Sequence, residues 1–340
     1  MESIPPDLLP STALGTESVV ADSLLRKRGS KPRSLRIIGV GGGKGGIGKS
    51  LLSASLGIEL SRRGKRVVMI DADLGGANLH TCLGIEQPAV GIGDFFERRV
   101  ARLEDVLTPT GIENLTLVSG AKDPLEVANP KHHQKLRLLR GIQTLDADVA
   151  ILDIGSGTSF NVLDFFLVAD DGILTLVPEP TSVENGYRFL KAAFYRRLKT
   201  VEKVYGLEEL LQSVGRSVGA GSLSLGPRAL LAEVLKRDAA VGRLLESEMQ
   251  RFRPRLVVNM ARTPGDVEVG DAVVAAWRKF FGLEMDYLGC IGYDEEVWRC
   301  VRLKRPLLVQ SASGITAAAV RAIVDRLLRL DGQPMQGVTG

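Results

Sequence analysis

Short apolar runs recur along the chain, and segments with helical spacing separate them. The runs are rich in Val, Ile and Leu, which is typical of buried strands. They lie at 35–40, 66–70, 114–120, 148–153, 172–177, 255–260 and 285–291. Because strands that alternate with helices form parallel sheets, the pattern predicts a doubly wound α/β fold. We expect a mostly parallel sheet of roughly seven or eight strands, with helices on both faces.

Apolar residues spaced three and four apart predict the helices. These lie at 51–63, 94–107, 131–145, 182–199, 270–281 and 315–330, and Asp94 and Ser182 are the expected N-caps of two of them. Between about 200 and 254 the alternation stops, and helical spacing continues on both sides of a Gly/Ser-rich turn at 219–226. We interpret this stretch as a helical insertion that forms a lid or a partner platform outside the catalytic core.

The first predicted strand leads into a glycine-rich loop that reads Gly43-Lys44-Gly45-Gly46-Ile47-Gly48-Lys49-Ser50. The loop fits the phosphate-binding pattern G-x-x-x-x-G-K-[ST] and stands between a strand and a helix, as that pattern requires. Glycines let the backbone wrap around an anion, and the helix adds the positive end of its dipole. The sequence therefore predicts a site for ATP and Mg²⁺, with Lys49 on the β- and γ-phosphates and the Ser50 hydroxyl on the metal.

The loop carries a second lysine, Lys44, which the generic pattern does not need. With this lysine the loop resembles the deviant Walker A loop of the MinD/ParA ATPases. The resemblance implies that Lys44 reaches across a dimer interface to the phosphates held by the other subunit. It also implies that the nucleotide contacts run from Gly43 to Leu51, although many relatives have a second hydroxyl where this chain has Leu51.

Acidic residues stand at the ends of two predicted strands. Asp71 and Asp73 follow the second strand, and Asp153 ends the strand that begins near residue 148. Because parallel strands end at one edge of a sheet, we expect these acids beside the phosphate loop. The stretch at 71–79 resembles the switch I of the family, which implies that Asp73 orients the attacking water and Asp71 supports the Mg²⁺ shell. Asp153 has the Walker B arrangement, and we expect it to hold Mg²⁺.

Two further features bear on the family branch. Asn259 ends a late strand and matches the asparagine with which relatives bind adenine, while Gly292 stands where relatives often have proline. The turn Pro178-Glu179-Pro180-Thr181-Ser182 resembles that of the FlhG/FleN-like branch of MinD relatives, the flagellar-number regulators. The N-terminus does not contain the D-Q-A-x-x-L-R motif of that branch, so the specific flagellar assignment stays open.

Composition narrows the class of protein further. The 340 residues are 44% hydrophobic and 25% charged, which suits one large or two modest globular domains. Three scattered cysteines, Cys82, Cys290 and Cys300, form no C-x-x-C pair, which argues for a reducing compartment and against a P-loop carrier of metal clusters. The chain has no signal-peptide core or membrane-length apolar run, so we expect a cytoplasmic protein.

These observations predict three regions. Residues 1–34 form a disordered or partly helical extension, residues 35–330 form a P-loop ATPase domain with the insertion at about 200–254, and residues 331–340 form a polar tail. The expected function is an ATP-dependent dimerisation switch that controls the position or number of a cellular structure, in the flagellar, division or polar machinery. Hydrolysis of ATP to ADP and phosphate should be slow and stimulated by a partner. The alternative is an ATP-dependent small-molecule ligase or synthetase.

The expected partners are a second copy of the chain, bound in the presence of ATP, and a protein activator. The net charge of +4 permits contact with an anionic membrane or with non-specific DNA without arguing for either. A basic amphipathic helix at 316–330 is the candidate membrane element, but it contains no Phe or Trp, and we predict that it packs on the sheet. Membrane binding should therefore be weak, and a protein partner should bring the protein to the inner membrane or cell pole.

Overall fold

The computed structural model of the protein describes residues 35–120, 130–217 and 226–330, together with Ala21. Three expectations fall largely or wholly outside these residues: the N-terminal extension at 1–34, the Gly/Ser-rich turn at 219–226 and the polar tail at 331–340.

A single sheet organises the described chain. Its strands are β1 (Arg36–Gly42), β2 (Val67–Ala72), β3 (Leu107–Pro109), β4 (Leu115–Val118), β5 (Val149–Ser156), β6 (Asp171–Leu176), β7 (Arg255–Ala261) and β8 (Asp286–Gly292). They lie in the order β3-β4-β2-β5-β1-β6-β7-β8, and only β3 pairs antiparallel with its neighbour. The prediction of a mostly parallel sheet of seven or eight strands is confirmed.

Helices cover both faces of the sheet. In chain order they are α1 (Lys49–Arg62), α2 (Leu79–Cys82), α3 (Ile92–Phe96), α4 (His132–Thr144), α5 (Phe160–Val168), α6 (Pro180–Val204), α7 (Glu208–Ser217), α8 (Pro227–Arg237), α9 (Ala239–Gln250), α10 (Pro264–Phe281), α11 (Glu295–Arg302), α12 (Leu307–Gln310) and α13 (Ile315–Arg329). Side chains of α1, α2, α11, α12 and α13 contribute to the core on one face, and α3 to α10 contribute to the core on the other.

The strands between the two edge strands β3 and β8 are buried on both faces, which explains why their sequences are continuous apolar runs. On β5, Ile151 belongs to the core beneath α1 and α13, and Leu152 belongs to the core on the opposite face. The phosphate loop lies at the carboxyl edge of this sheet, between β1 and α1, where ligands of doubly wound folds bind.

The prediction of one helix over 94–107 is wrong. The chain forms α3, a 3₁₀ turn at Leu103–Val106 and the antiparallel strand β3. Asp94 lies in the first turn of α3 instead of capping a longer helix, because its carboxylate accepts a hydrogen bond from the Gly91 backbone N–H at 3.0 Å. Arg98 follows with a left-handed φ of 62°, a conformation that a right-handed helix does not continue through.

The helix expected from Ser182 to about 199 is longer at both ends. Helix α6 begins at Pro180, with Glu179 as its N-cap, because the fixed φ of proline suits a first turn. Ser182 is therefore not the cap. Its hydroxyl accepts a hydrogen bond from the Val177 backbone N–H at 3.1 Å and ties the start of the helix to the end of β6.

Helix boundaries beyond β7 also differ from the prediction. Helix α10 begins at Pro264 instead of Gly270, because Thr263 and Asp266 form a capping box ahead of the apolar stripe that the pattern detected. Helix α11 has no counterpart among the predicted helices, although Asp294 caps it by accepting a hydrogen bond from the Glu296 backbone N–H at 2.9 Å.

The inserted helices pack against the C-terminal half of α6 through α9. The buried Arg197 Nη2 of α6 lies 3.1 Å from the buried Glu248 Oε2 of α9, and the Phe194 and Phe252 rings are 5.9 Å apart. Both anchors lie in the C-terminal half of α6, and apolar side chains of the inserted helices join the core of the sheet. The role of the insertion as a lid or partner platform stays a prediction.

The last described helix packs on the sheet, as predicted. Val320, Ile323, Val324 and Leu327 are all buried, and they belong to the core that also contains α1. Within the described ranges, no helix has the length and apolarity needed to cross a bilayer.

Candidate functional site

The phosphate loop depends on two glycine positions that no other residue could fill without rearrangement. A Cβ on Gly43 would lie 2.2 Å from the backbone oxygen of Asn185, so the loop packs directly on the first turns of α6. Gly48 has a φ of +87° and ends the loop immediately before α1. Because Gly48 has no side chain to cap the helix, the N–H groups of the first turn remain available to a bound anion.

Lys49 lies inside the loop. Its side chain is largely buried, and its Nζ donates a hydrogen bond to the Lys44 backbone oxygen at 3.3 Å. Burial lowers the pKa of the Lys49 ammonium, while the negative charges of Asp153 and Asp73 oppose that shift. Among the residues that the structure describes, the only hydrogen bond of this buried ammonium is to a neutral carbonyl. An anion that enters the loop would therefore stabilise its positive charge.

Lys44 lies on the outside of the same loop. Its side chain is 44% exposed, and its Nζ lies 3.5 Å from the Oε2 of the exposed Glu179 at the start of α6. The two lysines are therefore separated by the loop backbone. Lys49 is available to an anion in its own loop, whereas Lys44 is available to a group approaching from outside.

Two buried carboxylates lie side by side below the loop. Asp71 on β2 pairs in register with Asp153 on β5, and both are almost completely buried. The Ser53 hydroxyl donates to Asp153 Oδ1 at 2.9 Å, and the Leu79 backbone N–H donates to Asp71 Oδ2 at 3.0 Å. Asp71 Oδ1 has no hydrogen-bond partner within the described chain.

Burial controls the protonation of this pair. It raises the pKa of Asp71 well above the ordinary value, and the nearby charge of Asp153 adds to the effect. Burial also raises the pKa of Asp153 to about 6, although hydrogen bonds from Ser50 and Ser53 and the charge of Lys49 favour its ionised form. Two adjacent buried carboxylates provide oxygen ligands of the kind that a hard divalent cation prefers. Such a cation would compensate their buried negative charge and give the unpaired oxygen a partner.

Asp73 lies at the mouth of the site, above the buried pair. A Cβ on Gly155 would lie 3.0 Å from Asp73 Oδ1, so the end of β5 passes directly beside this carboxylate. The side-chain amide of Asn78 donates to the Gly76 oxygen at 2.8 Å and closes the loop after Asp73 upon itself. The half-exposed Asp73 therefore lies between the buried carboxylates and solvent.

A cavity of about 280 Å³ opens on the α1 side of the phosphate loop. Its walls are mostly apolar, and its lining includes Leu51, Asn259, Met260, Tyr293 and Trp298. Asn259 is buried, and its Nδ2 donates to the Ile47 backbone oxygen at 2.9 Å. The cavity has the size and character of a site for a planar ring, and Leu51 contributes an apolar wall to it.

The structure brings every candidate residue from the sequence into this one region. The sequence did not indicate Ser53, Glu179, Met260 or Trp298 as neighbours of the site. Ser53 could have been found, because it lies three residues after Ser50 and therefore on the same side of α1. The others come from distant segments, and no local pattern indicates them.

The fold and the loop define a P-loop nucleotide-binding protein. Residues 34–191 match the family model described as ParA, NUBPL iron-transfer P-loop NTPase. The chain is 26% identical over 299 residues to the antiactivator FleN of Pseudomonas aeruginosa, an alignment that covers 86% of each protein. It is 28% identical over 153 residues to the septum site-determining protein MinD of Helicobacter pylori, which covers 45% of this chain and 56% of that protein.

Solved structures agree on the fold. MinD complexed with Mg-ADP from Pyrococcus horikoshii OT3 has a TM-score of 0.60 at 20% identity, covering 88% of this chain and 98% of that chain. The MinC:MinD cell division complex from Aquifex aeolicus has a TM-score of 0.58 at 19% identity, covering 89% of this chain and 98% of that chain. The chain is therefore similar in sequence to ParA-type and MinD-type P-loop NTPases, and it has the fold of the solved MinD structures.

Proposed function

We propose that this protein is an ATP-dependent dimerisation switch that controls the position or number of a cellular structure. The observation that carries the proposal is the separation of the two loop lysines. Lys49 is buried inside the loop, and Lys44 lies outside it with 44% of its side chain exposed. A lysine in the position of Lys44 is suited to the phosphates of a facing subunit, because its own loop already contains a buried cation.

The residues of the site fit ATP and Mg²⁺. The loop from Gly43 to Ser50 and the exposed N-terminus of α1 would hold the phosphates, and the apolar cavity beside Leu51 would hold the base. Ser50 and Asp153 would hold Mg²⁺, and Asp71 would support them with its unpaired buried oxygen. The metal, when bound, would offset the negative charge of the phosphates.

Asp73 is the proposed catalytic carboxylate. It would orient the attacking water for hydrolysis of ATP to ADP and phosphate, while Lys44 from the facing subunit would stabilise the charge that develops on the phosphates. Since the single chain supplies only part of this arrangement, turnover should be slow and should increase when a partner stabilises the closed dimer.

The names of the relatives support a regulatory output. FleN is an antiactivator and MinD determines the septum site, and both names describe control of other machinery. We propose that this chain likewise acts through a protein partner, in the cytoplasm and peripherally at the inner membrane or cell pole. The proposal includes the nucleotide contacts of Gly43 to Leu51 and Asn259 and the Mg²⁺ contacts of Ser50, Asp71 and Asp153.

Light scattering coupled to size-exclusion chromatography tests the switch. The wild type should change from monomer to dimer when ATP and Mg²⁺ are added. Lys44→Ala should bind ATP through Lys49 but remain monomeric. The matched control is Lys199→Ala, which removes an exposed lysine from the far half of α6 and should dimerise like the wild type.

Two results would overturn the proposal. Normal ATP-dependent dimerisation of Lys44→Ala would remove the role of this lysine across the interface. A wild type that stays monomeric with ATP and releases ADP only when a small-molecule acceptor is added would favour the ligase or synthetase alternative.

A further inference from the structure

Asn259 connects the phosphate loop to a strand that is not its neighbour. Strand β7, which carries Asn259, is separated from β1 by β6. The Asn259 side chain nevertheless spans this gap, and its Nδ2 donates to the Ile47 backbone oxygen at 2.9 Å. The hydrogen bond is buried, and it joins residues 212 positions apart in the chain.

The orientation of this amide is determined by its partner. A backbone carbonyl oxygen only accepts hydrogen bonds, so the nitrogen of the Asn259 amide must face Ile47. A Cβ on Gly48 would lie 2.3 Å from this nitrogen, so the amide occupies the space that a side chain at Gly48 would take. The contact therefore combines a hydrogen bond with close packing against the loop backbone.

The end of β7 is distorted in a way that directs two consecutive side chains to the loop. Neighbouring residues of a regular strand point to opposite faces. Here the Met260 Cε would lie 3.4 Å from a Cβ on Gly48, so Met260 approaches the same glycine as Asn259. Met260 has a left-handed φ of 58°, which is costly for a large side chain. The fold maintains this strain where the strand meets the loop.

We propose that Asn259 is a positioning residue for the phosphate loop, in addition to lining the cavity beside it. Its amide holds the Ile47 carbonyl away from the phosphates, so that the loop keeps its N–H groups directed inward. Because the same side chain lines the cavity, a base bound there would contact the residue that shapes the loop. This inference rests on the proposed function, since it assumes that the loop binds the phosphates of ATP.

Binding of a base-free ligand separates loop positioning from base recognition. Isothermal titration with Mg²⁺ would measure the affinities of ATP and of inorganic tripolyphosphate for the wild type and for Asn259→Ala. Loss of one net hydrogen bond should weaken both ligands by a similar factor, about tenfold. Asn259→Asp, which keeps the shape but cannot donate when ionised, should weaken both ligands at least as much.

The matched control is Thr110→Val. Thr110 is also buried, and its hydroxyl donates to the Leu115 backbone oxygen at 2.8 Å beside the opposite edge strand of the sheet. This variant loses that hydrogen bond and the one that the hydroxyl accepts from the Ile112 backbone N–H, both far from the loop, so it should bind tripolyphosphate like the wild type. Thermal unfolding of each variant verifies that it is folded.

Hydrogen–deuterium exchange of the loop amides at 43–50, without any ligand, provides a second readout. Exchange should be faster in both Asn259 variants and unchanged in Thr110→Val. If Asn259→Ala weakens ATP but not tripolyphosphate, or leaves loop exchange unchanged, Asn259 acts only on the base and the inference fails. A parallel loss of both ligands in a protein that never dimerises with ATP would support the inference and contradict the dimerisation switch.

Discussion

Replacement of Asp153 by asparagine should stabilise the nucleotide-free protein while removing its Mg²⁺-dependent function. Burial raises the pKa of Asp153 from the ordinary value of 3.8 to about 6. A rise of this size corresponds to a folding free energy on the order of 3 kcal/mol that the ionised carboxylate costs above pH 6. Asparagine removes this charge and still accepts the hydrogen bond from Ser53, so we expect a net gain of about 1–3 kcal/mol after local rearrangement.

The gain should depend on pH in a defined direction. Between about pH 4 and 6 the folded wild type holds a proton on Asp153 that the unfolded chain has released. The stability of the wild type therefore falls as the pH rises through this window. The asparagine variant has no titrating group at position 153, so its stability lacks this pH dependence. The difference between the two proteins should be small near pH 4 and reach its full value above about pH 7.

Urea unfolding in the presence of EDTA measures this difference at pH 4.5 and 7.5. The control is Asp146→Asn, which removes a carboxylate that is 92% exposed and paired with Arg66, and it should change stability little at either pH. A variant at position 153 that is no more stable than the wild type at pH 7.5, or equally stabilised at both pH values, would refute the reasoning. Titration with ATP and Mg²⁺ should show that the stabilised variant has lost its metal-dependent binding.

Two further predictions concern the nucleotide. Asp73→Ala should bind ATP and accumulate as a dimer, because loss of a water-orienting carboxylate slows hydrolysis more than it weakens binding; phosphate release at the wild-type rate would show that Asp73 is not catalytic. ATP should change the tryptophan fluorescence of the wild type through Trp298, which is 59% exposed and lines the cavity, whereas Trp277 is buried in a stack with Phe281. The change should disappear in Trp298→Phe, and its persistence would place the base elsewhere.

Much of the fold was predictable because its signals are local. Continuous apolar runs indicated strands buried on both faces, and the sheet has the expected number and direction of strands. The errors fell at helix ends, where local contacts and backbone conformation outweighed the helical pattern. The Asp94 carboxylate accepts from the Gly91 backbone N–H inside the first turn of α3, and the left-handed conformation of Arg98 ended the expected helix early.

The sequence by itself determined the phosphate loop. Eight consecutive residues specify it, because the freedom of glycine and the reach of Lys49 and Ser50 act over a few bonds. The sequence also indicated that Asp71, Asp73 and Asp153 would lie beside the loop, because parallel strands end at a common edge of the sheet.

Only the tertiary structure decided how those groups act on one another. The register of β2 against β5 places Asp71 beside Asp153, and burial of the pair then raises both pKa values. The contact of Asn259 with Ile47 depends in the same way on the order of strands and on a bend at the end of β7. Such contacts join residues far apart in the chain, and their energies depend on burial, which no short stretch of sequence contains.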